Sequence, residues 1–160
     1  PKTQDITTDY RLPAGAPVMS YVEPKPTLQW QVKPEKREIL GHSCQRAEVS
    51  FGGRQWIAWF TSEIPLSEGP YKFGGLPGLI LEVADSEGDY RYTCIGIANL
   101  SAGENIVRWK WNQRLTTRKE LEKIIVQLYA NPEQAIKALG GRMGFKGDPM
   151  LNLPYNPIEK

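Results

Sequence analysis

The chain is poor in the residues that most often carry chemistry: one histidine, two cysteines and three methionines among 160 residues. A single histidine leaves no Ser-His-Asp arrangement worth defending, and GxSxG, HExxH and phosphate-loop motifs are all missing. No run of about 18 apolar residues occurs, so no segment reads as a membrane-spanning helix. Charge of one sign is lacking too. Twenty basic against 18 acidic side chains leave +2, with Lys and Arg scattered singly among acids, which argues against a nucleic-acid footprint. A chain opening Pro1-Lys2-Thr3 has neither an initiator Met nor a signal peptide. Its N-terminus is therefore expected to be a processed or truncated end, from which any export signal has gone.

What is present suits a globular domain. The length allows a core that needs no metal or disulfide to fold, and five Trp, seven Tyr and four Phe supply it. Residues 1–26 are rich in proline, with an apolar patch at Val18–Val22, and read as an extended arm or edge strand. Thr27–Lys33 alternates, with Leu28, Trp30 and Val32 on one face, and Pro34 is expected to end it. Ser43–Phe51 and Arg54–Ser62 flank Gly52-Gly53, the signature of a hairpin with a two-residue turn. The second of these strands is apolar on both faces and should be central. Gly78–Asp85 and Asp89–Leu100 form a second hairpin across Ser86-Glu87-Gly88, and Glu104–Asn112 is expected as a further strand.

The pattern then changes to helical. Thr117 and Glu120 match a capping box, followed by Leu121, Ile124, Ile125 and Leu128 along one stripe. A second helix starts at Asn131-Pro132 and stops at Gly140-Gly141. Strands first and helices last imply an α+β fold: a mainly antiparallel, curved sheet with two C-terminal helices covering its open face. The expected organisation is an arm over 1–26, a β-rich domain with helices over 27–141 and a surface tail over 142–160.

Few residues offer chemistry. His42 and Cys44 lie two apart and could both reach one side of a strand, so a soft metal such as copper or zinc has two ligands there. They fail as a nucleophile pair, because side chains at that spacing project about 6.5–7 Å apart. Cys44 and Cys94 either remain buried thiols or pair, closing a loop of about 50 residues worth roughly 4 kcal/mol. Asp85, Glu87 and Asp89 crowd a hairpin turn and read as solvated loop acids. An enzyme would require acids such as Glu63 or Glu68 to converge with Arg54. The segment Glu63–Val83 is unlike a flexible linker, since its glycines and prolines alternate with apolar and aromatic side chains. It is either a rigid crossover between hairpins or a shaped surface for a partner. In the second case Tyr71, Phe73, Leu76 and Pro77 are the expected contacts.

Gly75-Leu76-Pro77-Gly78-Leu79-Ile80 spells the run that names the GLPGLI family of Bacteroidota proteins, and the chain resembles that family from about residue 28 to 98. Gly41-His42-Ser43-Cys44-Gln45-Arg46-Ala47 is similar to the family's Gly-Tyr-x-Cys-x-Lys-Ala segment, with His42 replacing Tyr. Phe51-Gly52-Gly53-Arg54, Ala58-Trp59-Phe60-Thr61 and Ile64-Pro65 follow in the family's order, and Trp30 stands where it has its upstream Trp. The resemblance implies an exported cell-envelope protein, periplasmic or outer-membrane associated, with no established enzymatic activity and no cofactor. Export favours a Cys44–Cys94 disulfide. The strand order is also similar to that of curved-sheet lipoprotein carriers, a half-barrel analogy that fixes no ligand. The leading expectation is a non-enzymatic protein that binds another protein, such as an outer-membrane β-barrel or its assembly machinery. The alternative is a periplasmic module for a small ligand, either a metal at His42 and Cys44 or a lipid within the sheet.

Overall fold

A computed structural model of the chain describes residues 5–12, 16–99, 111–140 and 155–159. In chain order the elements are β1 (Asp5–Tyr10), β2 (Val18–Pro24), β3 (Gln31–Ile39), β4 (His42–Phe51), β5 (Arg54–Thr61), β6 (Leu79–Asp85), β7 (Arg91–Thr93), β8 (Gln113–Leu115), α1 (Arg118–Ala130) and α2 (Pro132–Ala138). The architecture is α+β, mostly antiparallel, with the two helices last. One expected sheet is in fact two, ordered β1-β2-β8 and β3-β4-β5-β6-β7, neither closed into a barrel. The chain accordingly divides into two compact units, Pro1–Lys25 with Ile106–Asn156 and Pro26–Asn105 with Pro157–Lys160.

In the first unit, β1 and β2 pair antiparallel from Asp5↔Pro24 to Tyr10↔Met19, and β8 adds to β2 in parallel. The patch that looked like part of an arm is therefore structural: Val18, Met19, Ser20 and Tyr21 are all buried. Met19 and Tyr21 pack with Leu12 and with Leu121 and Ile125 of α1, so the helix covers this small sheet. The capping box forms as the sequence implies, with Thr117 Oγ1 accepting from the Glu120 N–H and Glu120 accepting from the Thr117 N–H. Asn131 occupies the N-cap position of α2 without a side-chain cap bond, and Pro132 opens the helix. The strand expected over Glu104–Asn112 lies largely outside the described residues, and the pairing that follows it is the short β8.

The second unit is the five-stranded antiparallel sheet. Gly52 and Gly53 have φ of +59° and +74°, the left-handed pair that a tight hairpin between β4 and β5 requires. β5 is central, and its Trp56, Ala58 and Phe60 are buried with Ala47 and Val49 of β4 and Val83 of β6. One expectation fails at β3, which begins at Gln31 and runs through Pro34 to Ile39. β3 is an edge strand, and its register shifts between Val32 and Lys36. Proline lacks the N–H a central ladder needs, but an edge bulge tolerates it. Trp30 lies just outside the strand and donates its indole N–H to the Gly74 carbonyl at 2.8 Å.

Candidate functional site

The loop between β5 and β6 folds back on itself instead of spanning open space. The Gly75 N–H reaches the Ser67 carbonyl at 3.2 Å, Ser67 Oγ donates to the Leu76 carbonyl at 2.8 Å, and the Ile80 N–H reaches the Glu68 carbonyl at 3.0 Å. A β-carbon on Gly78 would overlap the Thr61 carbonyl, so that position of the signature run is reserved for glycine by close backbone approach. Folding the loop inward buries Phe73 and Leu76 completely. Phe73 sits among Trp30, Phe51, Trp56 and Tyr71, with ring centroids 6.3, 6.0, 4.7 and 6.2 Å away. Pro77 and Tyr71 are exposed. Tyr71 holds a left-handed backbone at φ 56°, strained for a side chain of its size.

Around this loop the unit seats the segment Pro157-Ile158-Glu159, which bends at Ile158. The Arg54 guanidinium donates twice to the Pro157 carbonyl, from Nε at 3.3 Å and Nη2 at 3.1 Å. Ile158 packs against the hydrophobic core. Glu159 lies 2.5 Å from Lys72 Nζ, the side chains being 7% and 3% exposed, and it also accepts the Tyr71 hydroxyl. Gly52 makes room, since a β-carbon there would stand 2.7 Å from Glu159 Cγ.

Arg54 also organises the turn after β6. Its Nη1 contacts Asp85 and Asp89 at 2.7 Å each and Glu87 at 3.2 Å, and its guanidinium lies 5.0 Å from the Tyr90 ring centroid. Burial works against the charge, but the Asp89 and Asp85 hydrogen bonds outweigh it and raise the Arg54 pKa. Glu87 and Asp89 are exposed, as expected of turn acids, whereas Asp85 is fully buried, and all three contact the one cation. Their oxygens come within 4.8 Å of one another, the one three-ligand grouping among the described residues, with Arg54 already at its centre.

The His42 imidazole and the Cys44 thiol turn to different groups, the imidazole to Glu63 and the thiol to the His42 backbone carbonyl at 3.5 Å. His42 Nδ1 lies 2.7 Å from Glu63 Oε2, and Glu63 Oε1 accepts the Ser43 N–H at 3.0 Å. The His42 hydrogen bond, with help from the Ser43 N–H, holds the Glu63 carboxyl below its ordinary 4.5. Cys44 is buried, and desolvation pushes its thiol above the ordinary 9.0. The Cys44–Cys94 disulfide is not formed: both are free thiols. Cys44 lies on β4, and the Cys94 N–H bonds to Leu81 of β6 from just beyond β7, so β5 and β6 separate the pair. Three strand spacings put them on the order of 14 Å apart, well beyond the roughly 4.4–6.8 Å a disulfide allows.

Of the residues singled out from sequence, the fold brings Tyr71 to the 157–159 segment and sends Phe73 and Leu76 to the core. Arg54, Lys72 and Glu159 were not singled out as a binding set. The signals were a lone Lys between two aromatics in Tyr71-Lys72-Phe73 and three acids at alternate positions opposite one Arg.

A family model described as a protein of unknown function (Porph_ging) matches residues 52–82. That stretch runs from the Gly52 turn through Arg54 and the signature loop to β6, and so contains most of the groove that holds Pro157-Ile158-Glu159. No curated protein matches the chain. Among solved structures, PNGF-II in its C2 and P21 crystal forms is similar, each with a TM-score of 0.52 at 14% identity over 80% of this chain. The likeness concerns the fold, and the matched part is 24% of the PNGF-II chain.

Proposed function

We propose that this is a non-enzymatic protein-binding module of the GLPGLI type, working in the cell envelope as an accessory subunit of an outer-membrane β-barrel complex. The observation that carries protein binding is the way the second unit seats Pro157-Ile158-Glu159. A backbone carbonyl is taken by a buried Arg, an apolar side chain by the core, and a carboxylate by a buried Lys with a Tyr. These are elements of peptide recognition, and they are built from the segment that resembles the family most closely. The envelope assignment rests on the GLPGLI resemblance.

Affinity capture of the tagged chain from its native envelope, followed by mass spectrometry and determination of stoichiometry, tests the reading. A stoichiometric membrane-protein partner is expected. A clean monomer that captures nothing overturns it.

A further inference from the structure

We infer that the groove formed by Gly52, Arg54, Tyr71 and Lys72 is a receptor for an acidic peptide of a partner protein, with an apolar residue followed by Glu, and that residues 157–159 occupy it as an internal stand-in. The inference rests on the protein-binding reading above and names its site and partner chemistry.

Three features point to a ligand seat rather than to ordinary core packing. First, Arg54 spends both Nε and Nη2 on one backbone carbonyl, a contact any peptide can supply, while its Nη1 is held by Asp85 and Asp89. The guanidinium is thus fixed in place whatever sits in the groove. Second, Lys72 is a cation 3% exposed whose ammonium meets the Glu159 carboxylate at 2.5 Å. Burying an ammonium is costly unless a carboxylate meets it, so the site demands an acid at that position. Third, the groove is shaped for a chain. Gly52 carries no β-carbon where Glu159 lies, and Tyr71 keeps a left-handed backbone while its hydroxyl donates to the same carboxylate.

The occupant is also remote in sequence. Arg54 and Pro157 are 103 residues apart, and Pro157–Lys160 belong to this unit although the chain before them belongs to the other. The described contacts of the segment include one carbonyl, one apolar side chain and one carboxylate, groups that another chain can also offer. Charge selects an acidic partner: Gln in place of Glu removes the carboxylate that meets Lys72 at 2.5 Å, and Lys there sets two cations together.

The test uses the full chain carrying Ile158→Ser and Glu159→Ser, titrated with a fluorescein-labelled peptide Asn-Pro-Ile-Glu-Lys and with its Gln counterpart. Saturable one-to-one binding of the Glu peptide is expected, with the Gln peptide weaker by about tenfold or more, as for truncation of a buried charge pair. Lys72→Met in the same background should weaken the Glu peptide by a similar factor and abolish the preference for Glu over Gln. The native chain should bind about tenfold more weakly than the vacated one, because its own segment competes. Glu159→Gln alone keeps the apolar contacts of Ile158 and serves if the double variant does not fold; it should bind the Glu peptide more tightly than the native chain does.

A vacated chain that unfolds cooperatively yet binds neither peptide, or binds both equally, overturns the inference. A native dimer that Glu159→Gln converts to monomer assigns the groove to a second copy and overturns the partner peptide. A partner captured from the envelope and held undiminished by the Lys72→Met chain removes this site while leaving protein binding standing.

Discussion

Arg54 Nη1 and Asp85 Oδ2 meet at 2.7 Å with side chains 1% and 0% exposed, an ion pair completely removed from water between the first residue of β5 and the last of β6. Asp85 also accepts the Tyr90 N–H at 2.9 Å through its other oxygen, so one carboxylate ties the strand end, the turn and the guanidinium together. Removing one partner leaves a buried charge uncompensated. Asp85→Ala and Arg54→Met are each expected to cost about 3–5 kcal/mol, and the double variant less than the sum of the two. Urea denaturation midpoints of the three variants check this. A cost below about 1 kcal/mol for Asp85→Ala would show that Asp89 and Glu87 suffice to hold Arg54.

Phe73 and Leu76 should behave as core residues. Phe73→Ala is expected to destabilise by about 3–5 kcal/mol and Leu76→Ala by about 2–5 kcal/mol, since each opens a cavity in a packed interior. Pro77 is exposed, and Pro77→Ala should cost about 1 kcal/mol or less, the entropy that proline removes from the unfolded chain. Thermal unfolding of the three variants separates them. If Pro77→Ala proved as damaging as Phe73→Ala, the exposed tip of the loop would be holding the fold.

Glu63 should make stability acid-sensitive through His42. Its carboxyl is held below 4.5 chiefly by the His42 hydrogen bond. A carboxylate with a lowered folded value stabilises fully above its unfolded pKa, and that contribution is lost as pH falls through the folded one. The difference in midpoint between the native chain and Glu63→Gln should therefore shrink as pH falls below 4.5. Carbon-13 NMR titration reads the carboxyl directly, and His42→Ala should move it back up toward 4.5. An unmoved titration would leave the Ser43 N–H as the cause.

The two thiols should differ sharply in reactivity. Cys44 is wholly buried with its thiol pKa pushed up, while Cys94 is partly exposed. Because the thiolate is the reactive form, iodoacetamide should label Cys94 in the folded chain and reach Cys44 only on unfolding. Mass spectrometry of digests quenched over time checks this. A peptide linking Cys44 to Cys94 would mean that the order of β4 to β7 is wrong.

Local signals were written plainly in the chain. The Gly52-Gly53 turn needs left-handed φ at two successive positions, which few residues other than glycine accept. The period of two in β4, the two-sided apolar character of β5, and Thr117 with Glu120 at the start of α1 each depend only on neighbours in sequence. They led directly to the α+β order of elements.

The tertiary structure decided what depended on distant partners. The division into two sheets was hidden because Val18–Tyr21 are buried at every position, Met19 and Tyr21 against α1, and so show no alternation. β3 could pass through Pro34 only because it became an edge. Cys44 and Cys94 were kept apart by strand order, a property of the sheet and not of either strand. The meeting of Arg54 and Lys72 with Pro157 and Glu159 spans most of the chain. Sequence supplies the charges for that encounter, but burial alone makes their pairing obligatory, because only away from water must an ammonium find its carboxylate.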